Sequence, residues 1–180
     1  MRKLVESTYI SLDGMVSGGD FWGAQGQFRG DDTHAAHAAK LLEPAEGLVL
    51  GRATYEVFAE TWPGQSGDIA DRINSLPKYV ASRTLTDARW NAEILQGDAV
   101  EEVAKLKRSG GGTLLKYGTG SFSQALLEAG ELDELHLWVF PFIAGSGETL
   151  LPGLTTTHLD LAEVTELANG CVVLTYTPKR

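Results

Sequence analysis

Short apolar runs alternate with segments of helical period over the first two-thirds of the chain, and a glycine or a small hydroxyl residue marks several of the joins. That alternation implies a mostly parallel sheet, because parallel strands need a helix-length crossover to return the chain to the same edge. Residues 4–11 read as a first strand ending at Asp13-Gly14, a turn pair. Residues 17–30 are glycine-rich around Phe21 and Trp22 and read as a loop. A helix is expected from about Asp32, with Asp31 or Asp32 as its cap and His34, Ala35, Ala38, Leu41 and Leu42 on its buried face. Residues 47–50 form a strand apolar enough to be buried on both faces, followed by a helix over 52–61.

After Pro63-Gly64 come a short helix over 69–76, a strand over 78–82 and a weaker strand over 91–95. Asp98 with Glu101 makes a capping box for a helix over 99–108, whose Val100, Val103, Ala104 and Leu106 give an apolar face. A strand over 113–117, a helix over 121–129 and a strand over 134–140 follow, the last placing Leu135, Leu137 and Val139 on one side. Two late strands, 161–167 and 171–177, meet at Asn169-Gly170, a hairpin signal. The expected architecture is a single α/β domain over residues 1–180. Its mostly parallel central sheet carries helices on both faces and a C-terminal antiparallel hairpin.

Composition narrows the function classes. A net charge of −9 argues against broad nucleic-acid binding, which needs a basic surface. It leaves an anionic small ligand open, because a few local arginines outweigh charges lying beyond a Debye length of about 8 Å. No apolar run approaches the roughly 18 residues of a membrane span. The N-terminus alternates like a strand rather than resembling a signal peptide, and the lone Cys171 suits a reducing compartment, so a cytoplasmic protein is expected. His34 and His37 lie three apart without a third ligand nearby, so no metal site is expected.

Ligands of parallel sheets bind beyond the carboxyl ends of the strands, which directs attention to three junctions. Gly51-Arg52-Ala53-Thr54 combines close backbone approach, a helix N-terminus and a guanidinium suited to phosphate. Ala81-Ser82-Arg83-Thr84 again flanks an arginine with small and hydroxyl residues. Tyr117-Gly118-Thr119-Gly120-Ser121 leads a strand through two glycines into a helix, without the third glycine of a Rossmann fingerprint. Ser109-Gly110-Gly111-Gly112 precedes a strand and reads as a helix-ending turn. No GK[ST] follows any glycine loop, which removes a P-loop nucleotidase. Each junction alone also serves as an ordinary tight turn; three on one sheet edge suggest a ligand with several phosphates.

GRATYE, LPKYVASRTL and YGTGSFSQALL, in that order, resemble the dihydrofolate reductase-like fold. The branch related to the reductase domain of bacterial riboflavin biosynthesis is the better match, through Ser11-Leu12-Asp13-Gly14 and the P-x-x-x-G-x-G from Pro141 to Gly147. The resemblance spans nearly the whole chain. It implies an NADPH-dependent reductase acting on a small pyrimidine- or pteridine-like heterocycle, by analogy with 5-amino-6-(5-phosphoribosylamino)uracil reductase or dihydrofolate reductase. Gly51, Arg52, Thr54, Gly118, Thr119, Gly120 and Ser121 would hold the pyrophosphate, and Ser82, Arg83 and Thr84 the 2′-phosphate. Val16 would belong to a lid over the nicotinamide. The resemblance also implies Asp13 and Trp22 beside the substrate, Asp32 or His34 as proton donor, and a homodimer with Trp138 and Phe140 facing the partner. Lys78 stands where folate enzymes place an arginine, a departure that argues against folate, and the absence of an H-x-E with P-C-x-x-C excludes a zinc deaminase. A dinucleotide-binding module that senses rather than catalyses is the alternative reading.

Overall fold

The computed structural model describes residues 1–28 and 30–179. Eight strands form one sheet in the order β5-β4-β3-β6-β1-β7-β10-β9. The strands are β1 (Lys3–Ser11), β2 (Met15–Ser17), β3 (Ala45–Gly51), β4 (Lys78–Ala81), β5 (Ala92–Ile94), β6 (Thr113–Tyr117), β7 (Glu134–Phe140), β8 (Glu148–Thr149), β9 (Leu159–Glu166) and β10 (Val172–Pro178). The helices are α1 (Phe21–Gly26), α2 (Asp32–Leu42), α3 (Arg52–Thr61), α4 (Asp68–Ser75), α5 (Ala99–Arg108) and α6 (Ser121–Glu128). From β5 to β7 every pairing is parallel; β10 then pairs antiparallel with β7 and β9. The α/β architecture is the one the alternating pattern implies, down to the antiparallel hairpin, where Gly170 takes φ +84°.

Alternation along the strands splits the core in two. Leu4, Val49, Leu114, Leu135 and Leu137 face α5 and α6, which contribute Val103, Leu126 and Leu127. Val5, Leu48, Leu50, Val80 and Leu115 face Leu42 of α2, Tyr55 and Ala59 of α3 and Ile73 of α4. Caps fix the helix starts: Asp31 accepts from the amides of Thr33 and His34 at 3.0 and 3.1 Å, and Asp98 from those of Val100 and Glu101 at 2.9 and 3.1 Å.

Four expectations change. The glycine-rich stretch 17–30 contains α1, because Phe21 is buried against Phe142 at 5.5 Å and its burial folds the turn that propensity alone would not. β2 and β8 form a separate two-stranded ribbon. Ala35 is exposed, and His37 joins the expected His34 and Leu42 on the buried face of α2. β7 is buried on both sides, so Trp138 and Phe140, at 1% and 0% exposure, are core residues packed with Val173 and Cys171 rather than a face for a partner. No described helix is long and apolar enough to cross a membrane.

His37 carries a pH signature in this packing. Its ring meets Trp138 edge-on at 4.9 Å, and its Nε2 is buried without a hydrogen-bond partner. Burial holds its pKa below the ordinary 6.5, aided by His136 and Lys40 and opposed by Glu163. The unfolded chain therefore takes up the proton first, and stability is lost as pH falls below 6.5. His37→Leu is expected to shrink the drop in urea midpoint between about pH 7.5 and about pH 5, measured against wild type.

Candidate functional site

β4, β3 and β6 lie side by side with their carboxyl ends flush: Gly51 pairs with Ala81, and Leu50 with Tyr117. The three junctions therefore open on one edge and enclose a cavity of about 390 Å³ bounded by residues 51–54, 81–84 and 116–123. Gly51, Arg52, Thr54, Ser82, Arg83, Thr84, Gly118, Thr119, Gly120 and Ser121 are all on its wall.

Each junction presents different chemistry. Gly51 and Gly120 precede α3 and α6 with no side-chain cap, leaving the first-turn amides of both helices to other acceptors. A side chain at Gly118, whose φ is +74°, would collide with Thr54, so only glycine lets the two loops touch. Arg52 bonds Glu56 at 2.7 Å and the Thr84 hydroxyl, bracing the first junction against the second. Ser82 Oγ accepts from the Leu85 amide at 3.0 Å and shapes its loop. Arg83 is exposed and has no ion-pair partner among the described residues. Thr119 Oγ1 is buried without a hydrogen-bond partner. Open helix amides, an unpaired guanidinium and an orphaned hydroxyl fit a phosphorylated dinucleotide such as NADPH.

Beneath this edge lies a buried ion pair that the strand pattern did not single out. Lys116 Nζ sits 3.0 Å from Glu6 Oε2 and donates to Gly118 O at 2.6 Å and Ser123 Oγ at 2.7 Å. The detectable signal was a charged residue inside each of two central strands, Glu6 in β1 and Lys116 in β6.

The sheet splits beside the cavity. β1 pairs with β6 only as far as Ser7 opposite Tyr117, then runs on beside β7 to Ser11. Tyr9 lies on that extension, with its hydroxyl 3.0 Å from His34 Nε2. Burial, and to a lesser degree Tyr9, pushes the Tyr117 hydroxyl well above its ordinary pKa, and the Tyr117 ring meets Phe58 at 5.4 Å. His34 thus joins a row of polar aromatics running from Tyr117 toward α2. Asp32 is exposed in the first turn of α2.

The residues expected at the lid and the substrate lie off the wall of this cavity. Val16 is buried in the core beside Ile10, on the ribbon held by the Ser17 hydroxyl to Glu148 at 2.9 Å. Asp13 accepts from Ser11 Oγ at 2.6 Å and from the amides of Ala144 and Gly145 at 2.9 and 2.8 Å. The Ser11 hydroxyl first, then those amides, pull its pKa down to about 2. Three of its roughly four acceptor sites are taken by the chain itself, so it clamps the two loops together. Trp22 is exposed and meets Phe21 edge-on at 5.0 Å. Lys78 is buried, with Nζ on Asn74 O at 2.8 Å and 4.0 Å over Trp90, and cannot reach a substrate carboxylate. The described residues hold no group of three His, Cys, Asp or Glu side chains able to bind a metal.

Residues 2–173 match the RibD C-terminal domain. The chain belongs to the RibD C-terminal domain family. A Bacillus subtilis (strain 168) relative, the uncharacterized protein YyaP, is 23% identical over 184 residues, covering 97% of this chain and 94% of that one. The structure of a putative riboflavin biosynthesis protein from Shewanella sp. PV-4 superposes with a TM-score of 0.75, at 22% identity and 99% coverage of both chains. Dihydrofolate reductase from Enterococcus faecalis, complexed with NADP(H), gives a TM-score of 0.61 at 14% identity, with 99% and 97% coverage. The fold is therefore dihydrofolate reductase-like, and membership of the RibD C-terminal family supports a reductase-type function.

The Asp13 clamp has a local readout. Asp13→Ala removes the acceptor of two backbone amides, and exchange at Ala144 and Gly145 is expected to accelerate about ten-fold or more in hydrogen-exchange NMR, with the sheet amides unchanged.

Proposed function

We propose that this RibD C-terminal domain is an NADPH-dependent reductase that delivers hydride to a small pyrimidine- or pteridine-like heterocycle. The observation that carries this reading is the convergence of three strand ends, two arginines and two uncapped helix N-termini on one cavity. Gly51, Arg52, Thr54 and residues 118–121 would bind the pyrophosphate. Ser82, Arg83 and Thr84 would bind the 2′-phosphate, for which the unpaired Arg83 is the main cation. NADPH supplies the hydride when bound.

The chain's own residues have three tasks. The junction amides neutralise phosphate charge and fix the cofactor's direction along the edge. The split between β1 and β6 gives a flat ring a place beside Tyr9 and Tyr117. The Tyr9–His34 pair supplies a proton, the Tyr9 oxygen giving it up and the imidazole stabilising the phenolate until solvent restores it. Residues 143–149, tied to the 13–17 turn by Asp13 and Glu148, border the same end of the sheet. A cytoplasmic location and a homodimer, its interface outside the buried Trp138 and Phe140, complete the proposal.

Titration calorimetry with NADPH and NADH tests the reading directly. Wild type is expected to prefer NADPH, and Arg83→Ala to weaken NADPH about ten-fold or more while changing NADH about two-fold at most. Equal losses for both cofactors would remove Arg83 from the 2′-phosphate. Failure to bind either cofactor at millimolar concentration would overturn the function.

Turnover separates the reductase from a sensing module. With 5-amino-6-(5-phosphoribosylamino)uracil, its diaminopyrimidine precursor before deamination or dihydrofolate as acceptor, NADPH oxidation is expected from wild type. It should fall about 100-fold in Tyr9→Phe with cofactor affinity retained. Tight NADPH binding without oxidation would favour the module.

A further inference from the structure

The amides of a phosphate-binding turn are useful only if they point at the ligand, and in residues 118–120 little local structure enforces that direction. Gly118 and Gly120 both take positive φ, at +74° and +149°, in a region where glycine has low barriers to alternative conformations. A peptide unit flipped between them would present a carbonyl to an anion instead of an N–H.

Lys116 opposes that flip. An ammonium has three N–H donors, and Lys116 Nζ gives two of them as hydrogen bonds, to Ser123 Oγ on α6 at 2.7 Å and to Gly118 O at 2.6 Å, while it forms an ion pair with Glu6 Oε2 on β1 at 3.0 Å that lacks hydrogen-bond geometry. Although Lys116 borders the cavity, its charge is balanced and two of its donors are used within the protein. The bond to Gly118 O matters most. In a trans peptide the C=O and the following N–H point in opposite directions. Drawing Gly118 O toward Lys116 therefore turns the Thr119 N–H away from the sheet interior.

Glu6 makes the arrangement possible. It is fully buried and lies directly opposite Lys116 in the β1–β6 register, so the ammonium is balanced where water does not reach it. Thr8 Oγ1 also approaches the other carboxylate oxygen, Oε1, at 3.3 Å. A hydrophobic pair of similar volume would fill the space, but it would place no donor under Gly118 O.

We propose that Lys116, held by Glu6, is a positioning residue that sets the Gly118–Thr119 peptide so that the Thr119 N–H faces a bound pyrophosphate. The assignment rests on the NADPH reading of the cavity, and it concerns the pyrophosphate alone. Ligands that carry only a 2′-phosphate at Arg83 should be indifferent to it.

The test is a double variant, Glu6→Leu with Lys116→Met, which removes both charges together and leaves neither buried alone. Calorimetric titration is expected to show NADPH and NADH weakened alike, by about ten-fold, with adenosine 2′-monophosphate bound as in wild type. Lys116→Arg, which retains charge and donors, should keep NADPH affinity within about three-fold. Unchanged NADPH affinity in the double variant overturns the proposal, and so does a parallel loss of adenosine 2′-monophosphate, which marks a merely structural lesion. If the double variant does not fold, Ser123→Ala keeps the ion pair and removes one anchor. It should weaken NADPH by about three-fold without affecting adenosine 2′-monophosphate, and equal affinities overturn the proposal. Wild type that binds neither probe overturns the NADPH reading and this assignment together. Wild type that binds both, with variants that match it, overturns this assignment only.

Discussion

Parallel pairing of β4, β3, β6 and β1 is the constraint from which the rest of the molecule follows. It sends every carboxyl end to one edge and obliges each strand to hand over to a crossover there. The same edge then collects three strand-to-helix or strand-to-loop transitions, each with backbone amides that strand pairing has not used. Glycine at 51, 118 and 120 keeps side chains out of that space, and two arginines give it positive charge. Because β1 outruns β6 by four residues and stays paired to β7, the edge is notched as well as flush. A ligand with a charged end and a flat end matches both features.

Three lysines buried in this sheet and its helices show how differently one residue type can be accommodated. Lys107 meets Asp133 at 2.7 Å, Glu131 at 3.2 Å and the Glu131 carbonyl at 2.6 Å, tying α5 to the turn before β7. Lys116 is balanced by Glu6 and spans β1, β6 and α6. Lys78 has a carbonyl and the Trp90 ring but no carboxylate among the described residues, and burial pushes its pKa down to about 8. Ion pairing at this depth brings little net stability, because desolvation offsets the Coulomb attraction. What it adds is direction: a buried donor must find its acceptors, so each lysine fixes the backbone that supplies them.

Apolar runs and junction chemistry made most of this legible in the sequence. The 47–50 strand, the 99–108 helix with its Asp98 cap, and the Gly-Arg, Ser-Arg and Gly-x-Gly junctions all depend on local features, and the structure keeps them. What escaped the reading depends on tertiary neighbours. Phe21 folds α1 in a glycine-rich stretch because Phe142, 121 residues away, offers it a buried surface. Asp13 looked like a turn residue or a substrate ligand, and its amide donors lie at 144 and 145. Lys116 was not singled out at all, because its partner Glu6 is set opposite it only by the β1–β6 register. Pairwise long-range partners leave no periodic trace in a single chain, so only the anomaly of a charge within a central strand could have flagged them.

The two arginines of the cavity illustrate how a protein of net charge −9 can still present local positive charge. Arg52 is half exposed and already paired with Glu56, one turn along α3, so much of its field is cancelled and its role is to brace the Thr84 loop. Surface pairs of this kind contribute little stability, but they do fix a guanidinium's plane. Arg83 has no such partner among the described residues and stands on the same wall. Beyond about 8 Å the acidic surface is screened at physiological salt, so an approaching phosphate experiences the unpaired Arg83 more strongly than the distant carboxylates. Selectivity for a phosphorylated ligand therefore depends on which cation is left unpaired, not on the total charge. By pairing Arg52 and leaving Arg83 open, the chain concentrates its positive potential at the second junction, where a phosphomonoester with two negative charges gains most.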